Sequence, residues 1–172
     1  MKKIDLQIHT NCSDGAFSPS EIVDLALKKG MRAIAITDHD TISGIDEAIK
    51  YSKNKSIEIV PGIELSCYES FYSGTLDILG LFIDYKNKNL KEFIKLIRKE
   101  KPSFIFHPKT SMKEAIDMIR KAGGISILAH PGRYGNSFRE VIDKFVSGCG
   151  NGIEVDYLYK KSSPVSGCIS VE

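Results

Sequence analysis

The sequence predicts an α/β fold whose mostly parallel strands form a sheet or barrel. Short apolar segments typical of strands alternate with amphipathic segments typical of helices along most of the chain. The segment Ala33–Thr37 is almost entirely apolar, as expected for a strand buried on both faces. Capping boxes begin two of the helical segments, at Ser18-Pro19-Ser20-Glu21 and at Ser111-Met112-Lys113-Glu114. Together these patterns predict repeated strand–helix units.

Six strands follow from the apolar patterns. The first alternates Ile4, Leu6 and Ile8 with polar residues, which is the period of a strand with one buried face. A short seventh strand at Cys168–Val171 is a weaker candidate. The six predicted strands are Lys3–Ile8, Ala33–Thr37, Ile57–Val60, Thr75–Phe82, Ile125–Ala129 and Gly152–Val155.

Five helices are predicted between these strands. Gly30 and the pair Gly123-Gly124 end two of them, since glycine commonly follows the last helical residue. The segment Lys101–Thr110 contains two prolines and is predicted to be irregular. The predicted helices run from Ser18 to Lys29, from Ser43 to Ser52, over Asn89–Lys99, from Ser111 to Ala122 and over Ser137–Val146.

Length and composition indicate one ordinary globular domain over residues 1–172. The formal net charge is +2, which gives no argument for a stable nucleic-acid partner or a membrane surface. No apolar run approaches the roughly 20 residues that span a bilayer. Asp5 interrupts the N-terminal segment where a signal peptide would be apolar, so we expect a cytoplasmic location. The four cysteines form no C-x-x-C pair.

Polar side chains follow four of the predicted strands. In parallel α/β folds the carboxyl ends of the strands lie on one face, so these distant residues are expected to converge there. A single histidine at a strand end is usually a hydrogen-bonded bystander, but three of the four histidines in this chain have that position. Imidazole and carboxylate ligands together suit zinc, manganese or iron. The residues are His9 with Asp14 after the first strand, Asp38 and His39 after the second, Glu64 after the third and His130 after the fifth.

Several motifs in this order resemble the polymerase and histidinol phosphatase (PHP) family of metal-dependent phosphoesterases. The resemblance covers about Lys3 to Asp156. It implies a distorted β/α barrel, usually of seven strands, with up to three metal ions at the carboxyl ends of the strands. It also implies hydrolysis of phosphate esters such as nucleotides, short oligonucleotides or small phosphorylated metabolites. The motifs are IDLQIHTNCSDG, AIAITDHDT, PGIELS, LDILGLFID and GGISILAHPGR.

The resemblance assigns roles to individual residues. It implies that His9 binds a first metal, that Asp14 and His39 hold another, that Glu64 bridges two metals and that His130 completes a third ligand set. Asp38 is expected to orient a ligand from behind, as outer residues of metal sites commonly do. Arg133 is suited to pair with a substrate phosphate, and a surface salt bridge is the alternative for it.

Two ligand positions depart from the family pattern. The family opens with His-x-His, whereas this chain has Gln7 at the first position. The family often has histidine where this chain has Asp77, and a carboxylate there would favour manganese or magnesium. An ordinary exposed strand position is the alternative for Asp77.

Two segments typical of the family have no counterpart in the sequence. The late Gly-Ser-Asp-x-His segment is missing, and residues 157–172 are divergent or truncated. The barrel is therefore expected to be incomplete, with an open edge that a homo-oligomer could cover and with up to three metals or fewer. The long insertion that many nucleotide-hydrolysing relatives carry before GGISILAHPGR is also missing.

Two functions of different classes follow. The first is a metal-dependent phosphoesterase in which a metal-activated water attacks the phosphate and Asp14, Asp38 or His39 acts as the general acid. The second is a degenerate PHP domain that serves as a metal-binding or interaction module. The altered ligands favour the module. The enzyme is favoured by the presence together of five polar residues at strand ends, namely His9, Asp14, His39, Glu64 and His130.

Overall fold

Six strands of the described part of the chain lie in one sheet, in the order in which they occur in the sequence. The computed structural model describes residues 3–99 and 110–155. Within these residues the outer strands of the sheet, β1 and β6, are not paired with each other. The sheet therefore forms a curled, mostly parallel half-barrel, as the sequence predicted. The strands are β1 Lys3–Ile8, β2 Met31–Ile36, β3 Glu58–Cys67, β4 Leu76–Leu81, β5 Ile125–Leu128 and β6 Gly152–Ile153.

Within residues 3–99 and 110–155, five α-helices connect or flank the strands. Both predicted capping boxes are present, with the side chains of Ser18 and Ser111 each accepting the amide of the glutamate three residues later. A 3-10 helix over Pro131–Ser137 follows β5. The α-helices are α1 Pro19–Lys28, α2 Ile45–Ser52, α3 Lys88–Lys99, α4 Met112–Lys121 and α5 Phe138–Ser147.

β4 is antiparallel to the other described strands of the sheet. β4 pairs antiparallel with both β3 and β5, whereas β1, β2 and β3 are mutually parallel and β5 is parallel to β6. Residues 68–75 connect β3 to β4, and this stretch is too short for the crossover that a parallel neighbour needs. As a consequence, β4 begins at the same rim of the sheet where its parallel neighbours end.

The predicted end of the third strand at Val60 was wrong. The sequence predicts a strand over Ile57–Val60, but β3 continues through Pro61-Gly62 to Cys67. Pro61 lacks an amide, and its carbonyl accepts the Ile83 amide at 3.3 Å. Gly62 is required by space, because a Cβ there would lie 2.7 Å from the Thr37 side chain. At this point β3 changes partner, from β2 to β4.

The sixth strand is also shorter than predicted, covering Gly152–Ile153 rather than Gly152–Val155. The candidate strand Cys168–Val171, His107 and nearly all of the irregular link lie outside the described residues. The single domain over residues 1–172 therefore stays a prediction.

The apolar core lies mainly between the helices and the outer face of the sheet. One cluster packs α1 and α2 against β2, and a larger one packs α3, α4 and α5 against β3 and β4. The inner face carries a smaller cluster of Ala35, Val60 and Leu81. Ala35 points away from Ile34 and Ile36, which belong to the outer core, because successive strand residues alternate faces. Among the described helices, none is long and apolar enough to cross a membrane.

Candidate metal centre

Five of the predicted residues meet at one rim of the sheet. His9, His39 and His130 follow the ends of β1, β2 and β5, and Glu64 lies within β3. Asp77 is the second residue of β4 and reaches the same rim because that strand runs in the opposite direction. Asp77 is 6% exposed, so the alternative of an ordinary exposed strand position is wrong.

Glu64 is the centre of the cluster. Its carboxylate is fully buried, and Nε2 of His9 lies 2.6 Å from one oxygen while Nε2 of His130 lies 3.2 Å from the other. A buried carboxylate is stable only when charged or hydrogen-bonding groups compensate for the lost water. The surrounding imidazoles provide that compensation.

The backbone fixes His39 beside Glu64. Residues 38–40 and Glu64 form a parallel bridge, in which the Asp40 amide donates to the Glu64 carbonyl at 2.9 Å and the Glu64 amide donates to the Asp38 carbonyl at 3.3 Å. Nε2 of His39 consequently lies 3.9 Å from Oε2 of Glu64. The His9 and His39 rings meet edge to face at 4.6 Å.

Two groups of ligand atoms share the Glu64 carboxylate. The first comprises His9, His39 and Glu64, and the second comprises Glu64, Asp77 and His130. Within each group the ligand atoms lie within 4.8 Å of one another. In the second group Nε2 of His130 is 3.6 Å from Oδ2 of Asp77. Each group offers the mixture of nitrogen and oxygen ligands that divalent transition metals bind.

The electrostatics of the cluster favour a charged pair. Burial alone would raise the pKa of Glu64, but hydrogen bonds from His130 and His9 and the nearby imidazole charges lower it to about 2. Burial likewise opposes the charged form of His9, but Glu64 and Asp14 raise its pKa to about 9. At neutral pH the centre therefore holds a cationic His9 against an anionic Glu64. Binding of a metal ion would displace the His9 proton.

Two buried oxygen atoms indicate whether the side chains of the cluster fit a cation. Oε1 of Gln7 and Oδ1 of Asp77 have no hydrogen-bond partner among the described residues. A buried acceptor without a donor is costly, whereas a hard or borderline cation would satisfy both atoms. Nε2 of Gln7 donates to both oxygens of Glu64 at 3.2 Å. The donor set thus fits a metal centre, including the two positions where the sequence departs from the family that it resembles.

Asp14 lies on the loop that follows β1, and Asp38, which follows β2, bonds to that loop. Asp14 is two-thirds exposed and contacts Nδ1 of His9 at 2.8 Å. The carboxylate of Asp38 is buried and accepts hydrogen bonds from the amide and hydroxyl of Thr10 and from the hydroxyl of Ser13. Asp38 therefore organises the loop that carries Asp14. This contact supports its predicted orienting role, while its role in proton transfer stays a prediction.

The loop after β1 returns on itself at Gly15. The Gly15 amide donates to the Thr10 carbonyl at 2.9 Å, and a Cβ on Gly15 would lie 2.3 Å from the His9 carbonyl oxygen. Only glycine allows this close approach. The loop is thereby closed tightly enough to place the Asp14 carboxylate beside His9.

Most of the chain matches the sequence model of one protein family. The model that matches is described as PHP domain, and it covers residues 5–147. The chain belongs to the PHP family.

Two curated relatives of this PHP domain have named activities. A 5'-3' exoribonuclease from Haemophilus influenzae is 28% identical over 218 residues, covering 90% of this chain and 79% of that protein. A 3',5'-nucleoside bisphosphate phosphatase from Chromobacterium violaceum is 27% identical over 222 residues, covering 90% of this chain and 77% of that protein. Since 90% of 172 residues is about 155, the 218-residue alignment includes about 60 positions that this PHP domain lacks.

A solved structure shows the same fold. An amidohydrolase from Chromobacterium violaceum, with bound sulfate and no metal, superposes with a TM-score of 0.78 at 26% identity. The match covers 88% of this PHP domain and 76% of that chain.

Two adjoining cavities open at the centre of this PHP domain. A cavity of about 400 Å³ is lined by Gln7, His9, His39, Glu64 and His130, together with Arg133. The neighbouring cavity of about 650 Å³ is lined by Asp14, His39 and Asp77 on one side and includes both Arg133 and Arg98. Within residues 3–99 and 110–155 neither arginine forms a salt bridge, and the role of Arg133 stays a prediction.

Sequence patterns did not identify two residues that lie near the centre. Arg98 comes from the exposed side of α3, and no strand-end pattern marks it. Glu154 follows β6, accepts the His130 amide and lines the smaller cavity. Burial raises the pKa of Glu154, although the His130 contacts oppose the rise. Its position after a strand is the same signal that identified His9 and His130.

Proposed function

We propose that this PHP domain is a metal-dependent phosphoesterase that hydrolyses phosphate monoesters or diesters of nucleotides or short oligonucleotides. The observation that carries the proposal is the sharing of Glu64 by two ligand groups, since a bridged pair of cations is the usual architecture for in-line displacement at phosphorus. The named activities of the exoribonuclease and of the bisphosphate phosphatase support the reaction class.

His9, His39 and Glu64 would hold one cation, and Glu64, Asp77 and His130 would hold the other. Gln7 and Asp14 supply further oxygen atoms at the margins of these groups. The carboxylate at Asp77, where relatives often have histidine, favours manganese over zinc, and iron also suits the donor set. Such cations supply an activated water and stabilise negative charge on the phosphoryl oxygens.

The protein side chains bind and orient the ester. Arg133 lines both cavities, and its planar guanidinium is suited to two oxygens of one phosphoryl group. Arg98 lines only the larger cavity and is placed for a second anionic group of the substrate. Ser66 and Thr75 line the same cavity and offer hydroxyl groups to polar atoms of the substrate.

The contacts also bear on the choice of proton donor. Burial would raise the pKa of Asp14, but its contact with His9 and the His39 charge lower it. Asp14 consequently carries no proton to donate at neutral pH and is suited to act as a ligand or base. Both oxygens of Asp38 are engaged by the loop. His39 is partly exposed between the two cavities, but one of its ring nitrogens would bind the first cation, so its predicted role as general acid requires the other ring nitrogen to donate the proton.

A second candidate function is a degenerate metal-binding or interaction module. The Gln7 amide supports it, because it donates to both oxygens of Glu64 where the family has an imidazole. A homo-oligomer that covers the open edge between β1 and β6 stays a prediction under either function.

Glu64→Gln tests the proposed activity. It removes the bridging charge while keeping the shape of the side chain, so we expect phosphate release from nucleotide and oligonucleotide substrates with Mn²⁺ to fall at least 100-fold. Glu69→Gln is the matched control, because Glu69 is a buried carboxylate that accepts the Met112 amide at 3.0 Å and an amide oxygen preserves that bond. Near-normal turnover of Glu64→Gln would remove Glu64 from the mechanism, whereas the absence of phosphate release from wild type would favour the module.

A further inference from the structure

The hydroxyl of Tyr134 is inserted into the ladder between β4 and β5. These strands pair with Ile78 opposite Leu128, so the next opposed residues toward the rim are Asp77 and Ala129. The Ala129 amide donates to the Asp77 carbonyl at 3.0 Å, which is one half of an antiparallel hydrogen-bonded pair. In the other half, the Asp77 amide donates to the Tyr134 hydroxyl at 3.1 Å, and the hydroxyl donates to the Ala129 carbonyl at 2.9 Å.

Local structure delivers Tyr134 to this point. His130 has a left-handed backbone with a φ of 32°, and the chain then turns through the 3-10 helix that contains Tyr134. The Tyr134 ring is 3% exposed and packs edge to face against Tyr72 at 5.6 Å. Burial raises the pKa of Tyr134, so its hydroxyl keeps the proton that it donates.

Both backbone groups that the hydroxyl joins belong to the second ligand group. The amide is that of Asp77 itself, and the carbonyl belongs to the residue before His130. In a regular pair these two groups would bond directly. The hydroxyl takes the place of that direct bond, while the Ala129 amide still bonds to the Asp77 carbonyl at 3.0 Å in the other half of the pair. The Asp77 and His130 side chains therefore start from backbone whose spacing on one side is set by the hydroxyl.

We propose that Tyr134 is a positioning residue whose hydroxyl acts as a spacer, holding the ends of β4 and β5 at the width that the Glu64–Asp77–His130 cation site requires. The inference rests on the proposed metal centre and concerns one half of it. His9 and His39 of the first group follow β1 and β2, whose pairing the Tyr134 hydroxyl does not touch. Glu64 pairs with Leu79 of β4, two residues beyond the Asp77 amide.

Tyr134→Phe removes the hydroxyl between β4 and β5 and keeps the buried ring, so it distinguishes the effect of the hydroxyl from that of ring packing. The phenyl ring preserves the buried contacts, but the Asp77 amide and the Ala129 carbonyl are left to bond to each other and close the pair. Outer residues that orient metal ligands typically contribute about 10–100-fold to metal affinity. We therefore expect the affinity of the second cation to fall by about that factor and the affinity of the first to remain within about twofold.

The test is a titration of the full chain with Mn²⁺, in which the electron paramagnetic resonance signal reports free Mn²⁺. The titration compares wild type with three variants. Asp77→Ala identifies the second binding event. Tyr134→Phe tests the spacer, and Tyr72→Phe is its control because it removes a hydroxyl from the ring next to Tyr134. The spacer is supported if Tyr134→Phe lowers the Mn²⁺ affinity of the second binding event only, and Tyr72→Phe does not. Equal weakening of both events, or binding identical to that of wild type, overturns it. Wild type with fewer than two binding events would instead overturn the metal centre itself, and the spacer with it.

Discussion

His9 and Glu64 form a short contact at the centre of the site, with 2.6 Å between Nε2 and Oε2. Glu64 is anionic because its pKa is lowered to about 2, and His9 is cationic at neutral pH because its pKa is raised to about 9. A proton on His9 thus satisfies the same carboxylate that two cations would share. Competition between this proton and a metal underlies the first two predictions.

Metal affinity should rise with pH. Below a pKa of about 9 His9 must lose its proton before it can bind a metal, whereas Glu64 is already ionised. We expect the Mn²⁺ affinity of the first site to increase by up to about tenfold per pH unit from pH 6.5 to 8.5 and to level off near pH 9. Isothermal titration calorimetry in buffers of different ionisation enthalpy measures the proton released. An affinity independent of pH, with no proton release, would contradict the charged pair.

The stability of the metal-free protein should have the opposite dependence in alkali. The raised His9 pKa contributes stability that is complete below pH 6.5 and is lost as the pH rises through about 9. The lowered Glu64 pKa contributes stability that is present above pH 4.5 and is lost as the pH falls toward about 2. Urea unfolding in the presence of a chelator should therefore give a maximum between pH 4.5 and 6.5. In His9→Asn the decline between pH 6.5 and 9 should be reduced; an unchanged decline would assign it to other groups.

Gln7→His should strengthen metal binding. The substitution replaces an amide that donates to both Glu64 oxygens with an imidazole that can bind a metal. We expect the zinc affinity to rise at least tenfold, measured by competition with a chromogenic chelator. Lys3→His, which places an imidazole at the exposed start of the same strand, should leave the affinity unchanged. Equal affinities in wild type and Gln7→His would show that position 7 lies outside the metal centre.

Arg98 should determine preference among substrates. Its guanidinium lines the larger cavity but not the smaller one, so it is placed for a second anionic group. A charge-assisted hydrogen bond contributes about 1.5–3 kcal/mol, so Arg98→Ala should raise KM for a nucleoside bisphosphate about 10–100-fold. KM for a nucleoside monophosphate should change less than threefold. Arg139→Ala, at an exposed position on α5, is the control. A parallel rise for both substrates would place Arg98 on the reacting phosphoryl group instead.

The convergence of the ligands could be predicted from the sequence because it follows from topology. Strand periodicity located His9, His39 and His130 at strand ends, and parallel strands bring such ends to one rim. Asp77 reaches that rim for a different reason, since β4 is antiparallel and the residue lies at its start. The eight residues 68–75 between β3 and β4 favour a hairpin, but the predicted end of the third strand at Val60 concealed how short this connection is.

Other features depend on contacts that a linear pattern does not contain. Pro61-Gly62 is typical of a turn, yet β3 continues because Gly62 fits against Thr37 and the strand changes partner there. Arg98 is one of many basic residues on an amphipathic helix until the helix is placed beside the cavity. The Tyr134 hydroxyl is significant only in relation to the register of β4 and β5. Local propensity cannot supply such tertiary relationships.

Metal content per chain tests the central claim most directly. The protein would be purified without chelators or a histidine tag, and its manganese, iron and zinc would be measured by elemental mass spectrometry beside a Glu64→Ala, His39→Ala double variant. The two ligand groups that share Glu64 predict two equivalents of metal in wild type and their loss in the double variant. Substoichiometric metal that is equal in both proteins would contradict the metal centre and leave the interaction module as the function of this PHP domain.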